Sequence, residues 1–314
     1  MTSFINSVDQ RTQLAGANRL EVLLFSLGQD TGTAREEVFG INVFKVREVM
    51  HVPEITRAPD MPDAVEGMVS LRGTMVPVIN LQKFCGVVCE ARPKILMVTE
   101  YNKHIQGFLV DSVETIERLS WEDVKTPPPM VTSRLGGLVT AVAELGDKRL
   151  VMIMDVEKVL AETAKFYDEE LLFEEVDVYD KREVHGFFAD DSSVARKQIA
   201  MTLDRMNIKH TCAVNGAEAW ERLRELADRA DAAGRPVTEY VDFVLTDVEM
   251  PEMDGYVLTQ KIKGDPRFKD VPVLMHSSLT AEANQALGKG IGDDAYVPKF
   301  EPRELAQALI RVLD

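Results

Sequence analysis

The stretch 240-YVDFVLTDVEMPEMDG-255 decides how this chain is read. Val241, Phe243, Val244 and Leu245 form an apolar, β-branched and aromatic run of strand length, which suits a strand covered on both faces of a parallel sheet. The run stops on Asp247, and Pro251 and the Asp254-Gly255 pair follow. A carboxylate therefore stands at the carboxyl end of a buried strand. In an open α/β sheet that end borders the crevice in which ligands bind.

Outward from this strand, Val184 to Asp314 alternates strand and helix patterns. The strand-like runs are VHGFFADD, IKHTCAVN, the Asp247 strand, VPVLMHSS and AYVPKF. Helical patterns start near Ser193, run from Ala217 to Ala233 and from Gly255 to Lys263, and continue from Ala281 to Lys289 and from Pro302 to Leu313. Short strands separated by helices pair in parallel through right-handed crossovers, which predicts a doubly wound α/β sheet. Its strand ends carry Asp190-Asp191, Asp247, Ser277-Ser278 and Lys299. Three carboxylates gathered at one edge repel one another unless a hard divalent cation holds them, and Mg2+ suits oxygen donors and a phosphate. A lysine and a hydroxyl on the other side could hold phosphoryl oxygens while Asp247 acts as the nucleophile and becomes an acyl phosphate. Gly288, Gly290 and Gly292 follow a helical pattern where a nucleotide loop would precede one, so they read as helix termination.

The preceding part of the chain has a different rhythm. LEVLLFSLG and EVFGINVFKVREVM read as a hairpin from Leu20 on, with a helical turn left open after the second strand at Val46, Val49 and Met50. Pro53, Pro59 and Pro62 then predict loop. GMVSLRGTMVPVINLQKF reads as a second hairpin turning on Arg72-Gly73, and KILMVTEY, IQGFLVDSVE, LGGLVTAVAEL and RLVMIMDV supply further short strands. Many short strands with glycine turns predict a barrel or sandwich. Gly136-Gly137 precedes a strand, so it is not a phosphate loop, and no catalytic constellation is legible in this half. Four segments follow: residues 1–19 with a short helix, an all-β domain at 20–166 closed by a helix running to about Phe166, an acidic linker at 167–183 that reads as solvated, with a docking element as the alternative because Leu171, Leu172, Phe173 and Val176 could continue a helix, and the α/β domain at 184–314. The stretch from Asp168 to Glu183 holds eight carboxylates against Lys181 and Arg182.

Composition narrows the function classes. A formal net charge of −16 disfavours nucleic acid as a partner. No apolar run approaches the ~18 residues of a membrane helix and no signal peptide is legible, so a cytoplasmic protein without membrane insertion is expected. Three cysteines, Cys85, Cys89 and Cys212, build no disulfide framework, and five scattered histidines suggest no metal site.

Two resemblances rest on these residues. FGINVFKVREVM, PEITRAPDMPDAVEGMVSLRGTMVPVINL, GFLVDSVETIERL and the PPP run resemble the CheW family of chemotaxis coupling domains. That resemblance implies a pair of five-stranded barrels that joins the cytoplasmic tips of chemoreceptors to a histidine kinase. The family's Asn-Leu-Arg-Gly turn is Ser70-Leu71-Arg72-Gly73 here, which points to Arg72 and Gly73 for partner binding. The ordered acidic pair, Asp, Ser and Lys of the second half, with TDVEMPEMDG and Tyr296, resemble the receiver domain of response regulators. By that resemblance the strand order is 2-1-3-4-5, Asp247 is the phosphoacceptor, and Asp190, Asp191, Asp247 and the Glu249 backbone carbonyl hold Mg2+. Ser277 and Lys299 then contact the phosphoryl group and Tyr296 follows Ser277 as a switch. Two features depart from the receiver pattern: Pro298 precedes Lys299 and Phe300 follows it, which puts a cis bond after Lys299 in doubt, and Glu249 introduces a carboxylate expected to alter acyl-phosphate lifetime.

The two halves together resemble the CheV family. The expected function is a chemotaxis adaptor modulated by phosphorylation, with no catalysis beyond its own phosphorylation and dephosphorylation and no DNA-binding output domain after the last helix. The alternatives are a phosphate sink localised by the coupling domain and, more remotely, a Mg2+-dependent small-molecule phosphotransferase.

Overall fold

Two compact units divide the chain, one spanning Leu20–Phe166 and the other taking the remainder. The computed structural model describes residues 19–57, 61–101, 104–128, 130–131, 138–163, 176–277, 295–299 and 301–314. The expected helices before residue 19 and between Ala281 and Lys289, and the Gly136-Gly137 turn, lie outside the described residues.

In the first unit β1 (Arg19–Ser26) and β2 (Val38–Asn42) form an antiparallel hairpin. The side chain of Asn42 then accepts the Phe44 amide at 2.9 Å and caps a 3-10 turn over Val43–Lys45. That turn breaks the predicted single strand, and β3 (Val46–His51) joins a different sheet, with no helical turn at Val46–Met50. β4 (Val65–Leu71) and β5 (Thr74–Asn80) make the expected hairpin about Arg72 and Gly73, whose φ values of 50° and 84° give a two-residue turn matched to strand twist. A short helix, α1 (Leu81–Cys85), follows directly; Asn80 caps it and Gly86 ends it in the left-handed region.

β6 (Ile95–Tyr101), β7 (His104–Val110) and β8 (Ser112–Ser120) come next, and the predicted single strand IQGFLVDSVE divides at Asp111 between two sheets. β9 (Val139–Glu144), β10 (Leu150–Met154) and α2 (Val156–Thr163) complete the described part of this unit. Its two five-stranded sheets run β8-β1-β2-β10-β9 and β3-β6-β7-β5-β4. The isolated bridges Lys125↔Val142 and Thr56↔Met68 tie the segments that follow the edge strands β8 and β3 to the opposite edge strands β9 and β4, in keeping with two barrels. Phe25, Phe39 and Ile41 of one barrel pack with Ile79, Met97 and Phe108 of the other and with Val156 and Val159 of α2, a core shared between the barrels.

The second unit is built from β11 (His185–Ala189), α3 (Ser193–Arg205), β12 (Lys209–Ala213), α4 (Gly216–Ala232), β13 (Phe243–Asp247), α5 (Gly255–Gly264), β14 (Val273–Ser277), β15 (Ala295–Pro298) and α6 (Pro302–Leu313). The sheet order is β12-β11-β13-β14-β15, with every pairing parallel. Side chains alternate between its two faces. Phe188, Leu245, Leu274 and Val297 meet residues of α3 and α6, whereas Phe187, Val244 and Val273 meet residues of α4 and α5.

The end of the acidic junction belongs to this unit. Val176 and Tyr179 are buried in the α3/α6 core, with Asp177 and Asp180 exposed between and beyond them. The Tyr179 amide donates to Met206 O at 2.9 Å, its hydroxyl reaches Leu313 O at 3.5 Å, and Lys181 pairs with Asp314 at 2.6 Å. A linker solvated as far as Glu183 is therefore corrected: two apolar side chains three residues apart find a receptive surface at the ends of two helices. Among the described residues no helix is long and apolar enough to cross a membrane.

Candidate functional site

Strand alternation places the site. Phe188, Leu245, Leu274 and Val297 lie on the α3/α6 face, so Asp190, Asp247, His276 and Lys299, each two residues further on, rise from the same face at the carboxyl edge. The register pairs Ala189 with Thr246 and Asp247 with His276, which levels the row across adjacent strands. Carboxylate oxygens of Asp190, Asp191 and Asp247 lie within 4.8 Å of one another. Lys299 Nζ stands 2.9 Å from Oδ2 of Asp190 and 2.9 Å from Oδ2 of Asp247, and all three side chains are buried.

Local structure fixes each member. The Ser192 amide donates to Asp190 Oδ1 at 2.9 Å while the Ser192 hydroxyl caps α3. Arg196, one turn into α3, donates through one guanidinium nitrogen to the carbonyls of Asp190 and Asp191, at 2.8 Å each. Asp254 caps α5 through the Val257 amide at 2.7 Å. Lys299 is tied to β14 by its amide, which donates to Ser277 O at 2.9 Å.

Electrostatics follow from burial. Desolvation holds the Asp247 carboxyl well above the ordinary carboxylate value; Lys299 opposes the shift, and the charges of Asp190 and Asp191 add to it. Three carboxylates and one ammonium leave an excess of negative charge in a buried cleft. The donor set is all oxygen and convergent, so the residues present fit a small hard cation such as Mg2+.

Ser277 ends β14, buried, and its side chain is hydrogen-bonded with the Tyr296 hydroxyl, which burial pushes well above its usual value. Tyr296 packs against Val248, Tyr256 and Met275. Glu249 lies two residues past Asp247, partly exposed, and its charge is among those acting on Tyr296. The structure thus brings Asp190, Asp191, Asp247, Ser277, Tyr296 and Lys299 to one edge, with Glu249 beside them. Ser278 and the bond from Lys299 into Phe300 involve residues outside the described set. Arg72 and Gly73 stand in the other unit, where Arg72, 75% exposed, pairs with Glu48 at 2.8 Å.

Two residues of the site escape a reading of the sequence. Arg196 looks like any helix arginine, although its spacing of five and six residues from the acidic pair is the signal that could have found it. His276 belongs to no metal-binding spacing, but it stands beside Ser277 in a strand whose end was already known to matter, 4.0 Å by its Nδ1 from Asp190 Oδ2. Cys85, by contrast, is a free thiol that burial pushes up to about 12, in keeping with a packing role.

Known proteins align with both units. The CheW-like domain family matches residues 21–164, and the response regulator receiver domain family matches residues 187–310. Chemotaxis protein CheV3 of Helicobacter pylori is 30% identical over 95% of this chain and 96% of its own length. Chemotaxis protein CheW of Klebsiella aerogenes is 30% identical over 45% of this chain and 81% of its own, and chemotaxis protein CheY1 of Helicobacter pylori is 34% identical over 40% and 92%. With a relative matched almost from end to end and both domain families present in order, the chain belongs to the CheV family of chemotaxis proteins, coupling adaptors that carry a receiver domain.

Proposed function

We propose that the receiver accepts a phosphoryl group on Asp247 from a histidine kinase and thereby adjusts how the CheW-like unit couples that kinase to the cytoplasmic tips of chemoreceptors. The observation that carries this is Lys299 Nζ held 2.9 Å from Asp247 at the end of the central parallel strand, with Asp190 and Asp191 converging on the same point. Asp190, Asp191 and Asp247, with the Glu249 carbonyl, are the groups that would hold Mg2+. When bound, the cation neutralises charge between the carboxylates and the incoming phosphoryl oxygens.

The side chains supply the remainder. A carboxylate oxygen of Asp247 forms a bond to phosphorus as the bond to the donor breaks, leaving an acyl phosphate. Lys299, which bridges two carboxylates at rest, is close enough to turn to a phosphoryl oxygen. Ser277 offers a hydroxyl from the neighbouring strand, and its hydrogen bond to Tyr296 links the site to the β15 edge of the sheet. A change in Ser277 is thus felt by Tyr296, the two-state element that a phosphoryl group would bias. In the CheW-like unit, the Arg72 guanidinium on its hairpin turn is the proposed contact for a protein partner.

Kinase activity in reconstituted receptor–kinase–adaptor complexes tests this, with wild-type protein and Asp247→Asn compared with and without a phosphoryl donor. The expected result is a donor-dependent change in kinase activity with the wild type alone. An equal response from Asp247→Asn would overturn the proposal.

A further inference from the structure

His276 takes no part in the chemistry above, yet it is buried on the α3/α6 face within the same row as Asp247. Leu274, two residues earlier on that face, is an ordinary core side chain. Burying an imidazole at position 276 costs desolvation that an apolar side chain would not incur. The Asp190 carboxylate beside it is held at one oxygen by the Ser192 amide and at the other by Lys299, with His276 Nδ1 4.0 Å from that second oxygen. Lys299 is shared with Asp247 and is the side chain the phosphoryl group would claim. His276 is carried on β14, between β13 and β15, where it pairs in register with Asp247.

We propose that His276 is a positioning residue for Asp190: its Nδ1–H holds the Asp190 carboxylate in the orientation a divalent cation requires once Lys299 is drawn towards a phosphoryl group. The proposal rests on the cation-dependent phosphorylation argued above. The separation of 4.0 Å is longer than a hydrogen bond, so a small rotation of either side chain closes the contact. Ligating carboxylates are commonly oriented by such outer partners, whose loss weakens metal affinity. The neutral imidazole suffices, since only one N–H is needed.

Magnesium titration of the full chain by calorimetry at fixed pH tests it, with wild type, His276→Leu and His276→Asn. Asn places an amide N–H where imidazole has Nδ1. His276→Leu is expected to weaken Mg2+ binding about tenfold and His276→Asn by no more than about threefold, while unfolding midpoints without cation stay close to that of the wild type. Equal affinity of His276→Leu and wild type would overturn the proposal, and so would an equal loss in the Asn and Leu variants, which would mark a packing role. If His276→Leu does not fold, His276→Asn against His276→Gln carries the same comparison, because the Gln amide reaches past the Nδ1 position; retained affinity for Asn with a loss for Gln supports the proposal and equality overturns it. A wild-type chain that does not bind magnesium would instead remove the cation from the proposed function, and this inference with it.

Discussion

Gly255 sits where the backbone admits no side chain: a Cβ there would lie 2.0 Å from the carbonyl oxygen of Asp247. The first turn of α5 packs directly on the residue proposed to be phosphorylated. Gly255→Ala must displace one or the other, and overpacking of this kind costs about 1–3 kcal/mol. Urea unfolding of the full chain should show the loss in the receiver transition, accompanied by weaker phosphorylation. Asp254, the adjacent cap, makes a pH prediction. Burial holds its carboxyl above the ordinary 3.8, against the pull of the amides it caps. A carboxyl raised in the folded state contributes stability that is whole below its unfolded value and is lost as pH rises through the folded one. Asn caps a helix as well as Asp does and does not ionise. Asp254→Asn should therefore raise the thermal midpoint at pH 7 and flatten its fall with rising pH from 3.8 upward; an unchanged slope would show that the carboxyl is not strained.

At the scale of elements, the segment from Val176 to Glu183 is a strap rather than a free linker, since Tyr179 is buried among the ends of α3 and α6. Tyr179→Ala should destabilise the receiver by about 3 kcal/mol, as for other large buried aromatic side chains. Lys181→Ala removes only an exposed ion pair and should leave the unfolding midpoint nearly unchanged. Sequence patterns favoured a solvated linker because carboxylates dominate the junction, while Val176 and Tyr179 acquire meaning only against a surface made by distant helices. The same limit explains β2 and β3. FGINVFKVREVM alternates like one strand, and only the contact of Asn42 with the Phe44 amide shows where it turns into a second barrel. The parallel strands were legible for the opposite reason: a strand buried on both faces is an apolar run whatever surrounds it, and helices must intervene. The end of each run then fixed Asp190, Asp247, Ser277 and Lys299 without knowledge of any contact. Arg196 and His276 were not legible, since one acts through backbone carbonyls and the other on a carboxylate that stands two strands away in the sheet.

At the scale of the whole molecule, a CheW-like unit and a receiver unit are joined in one acidic chain of net charge −16. On this acidic background Arg72 presents an exposed guanidinium from a two-residue turn. Reversing its charge with Arg72→Glu should leave the fold intact and weaken capture of the kinase's regulatory domain several-fold, because the side chain supports no core; unchanged capture would exclude this turn from the interface. The two proposed roles fall on different units, so loss of Asp247 should abolish phosphorylation while leaving Arg72-dependent capture in place. The most direct measurement is the intact mass of the protein after incubation with Mg2+ and a small acyl-phosphate donor, beside Asp247→Asn. One added phosphoryl group in the wild type and none in the variant is the predicted result. No adduct on a folded wild-type chain, or the same adduct on Asp247→Asn, would contradict phosphorylation at Asp247.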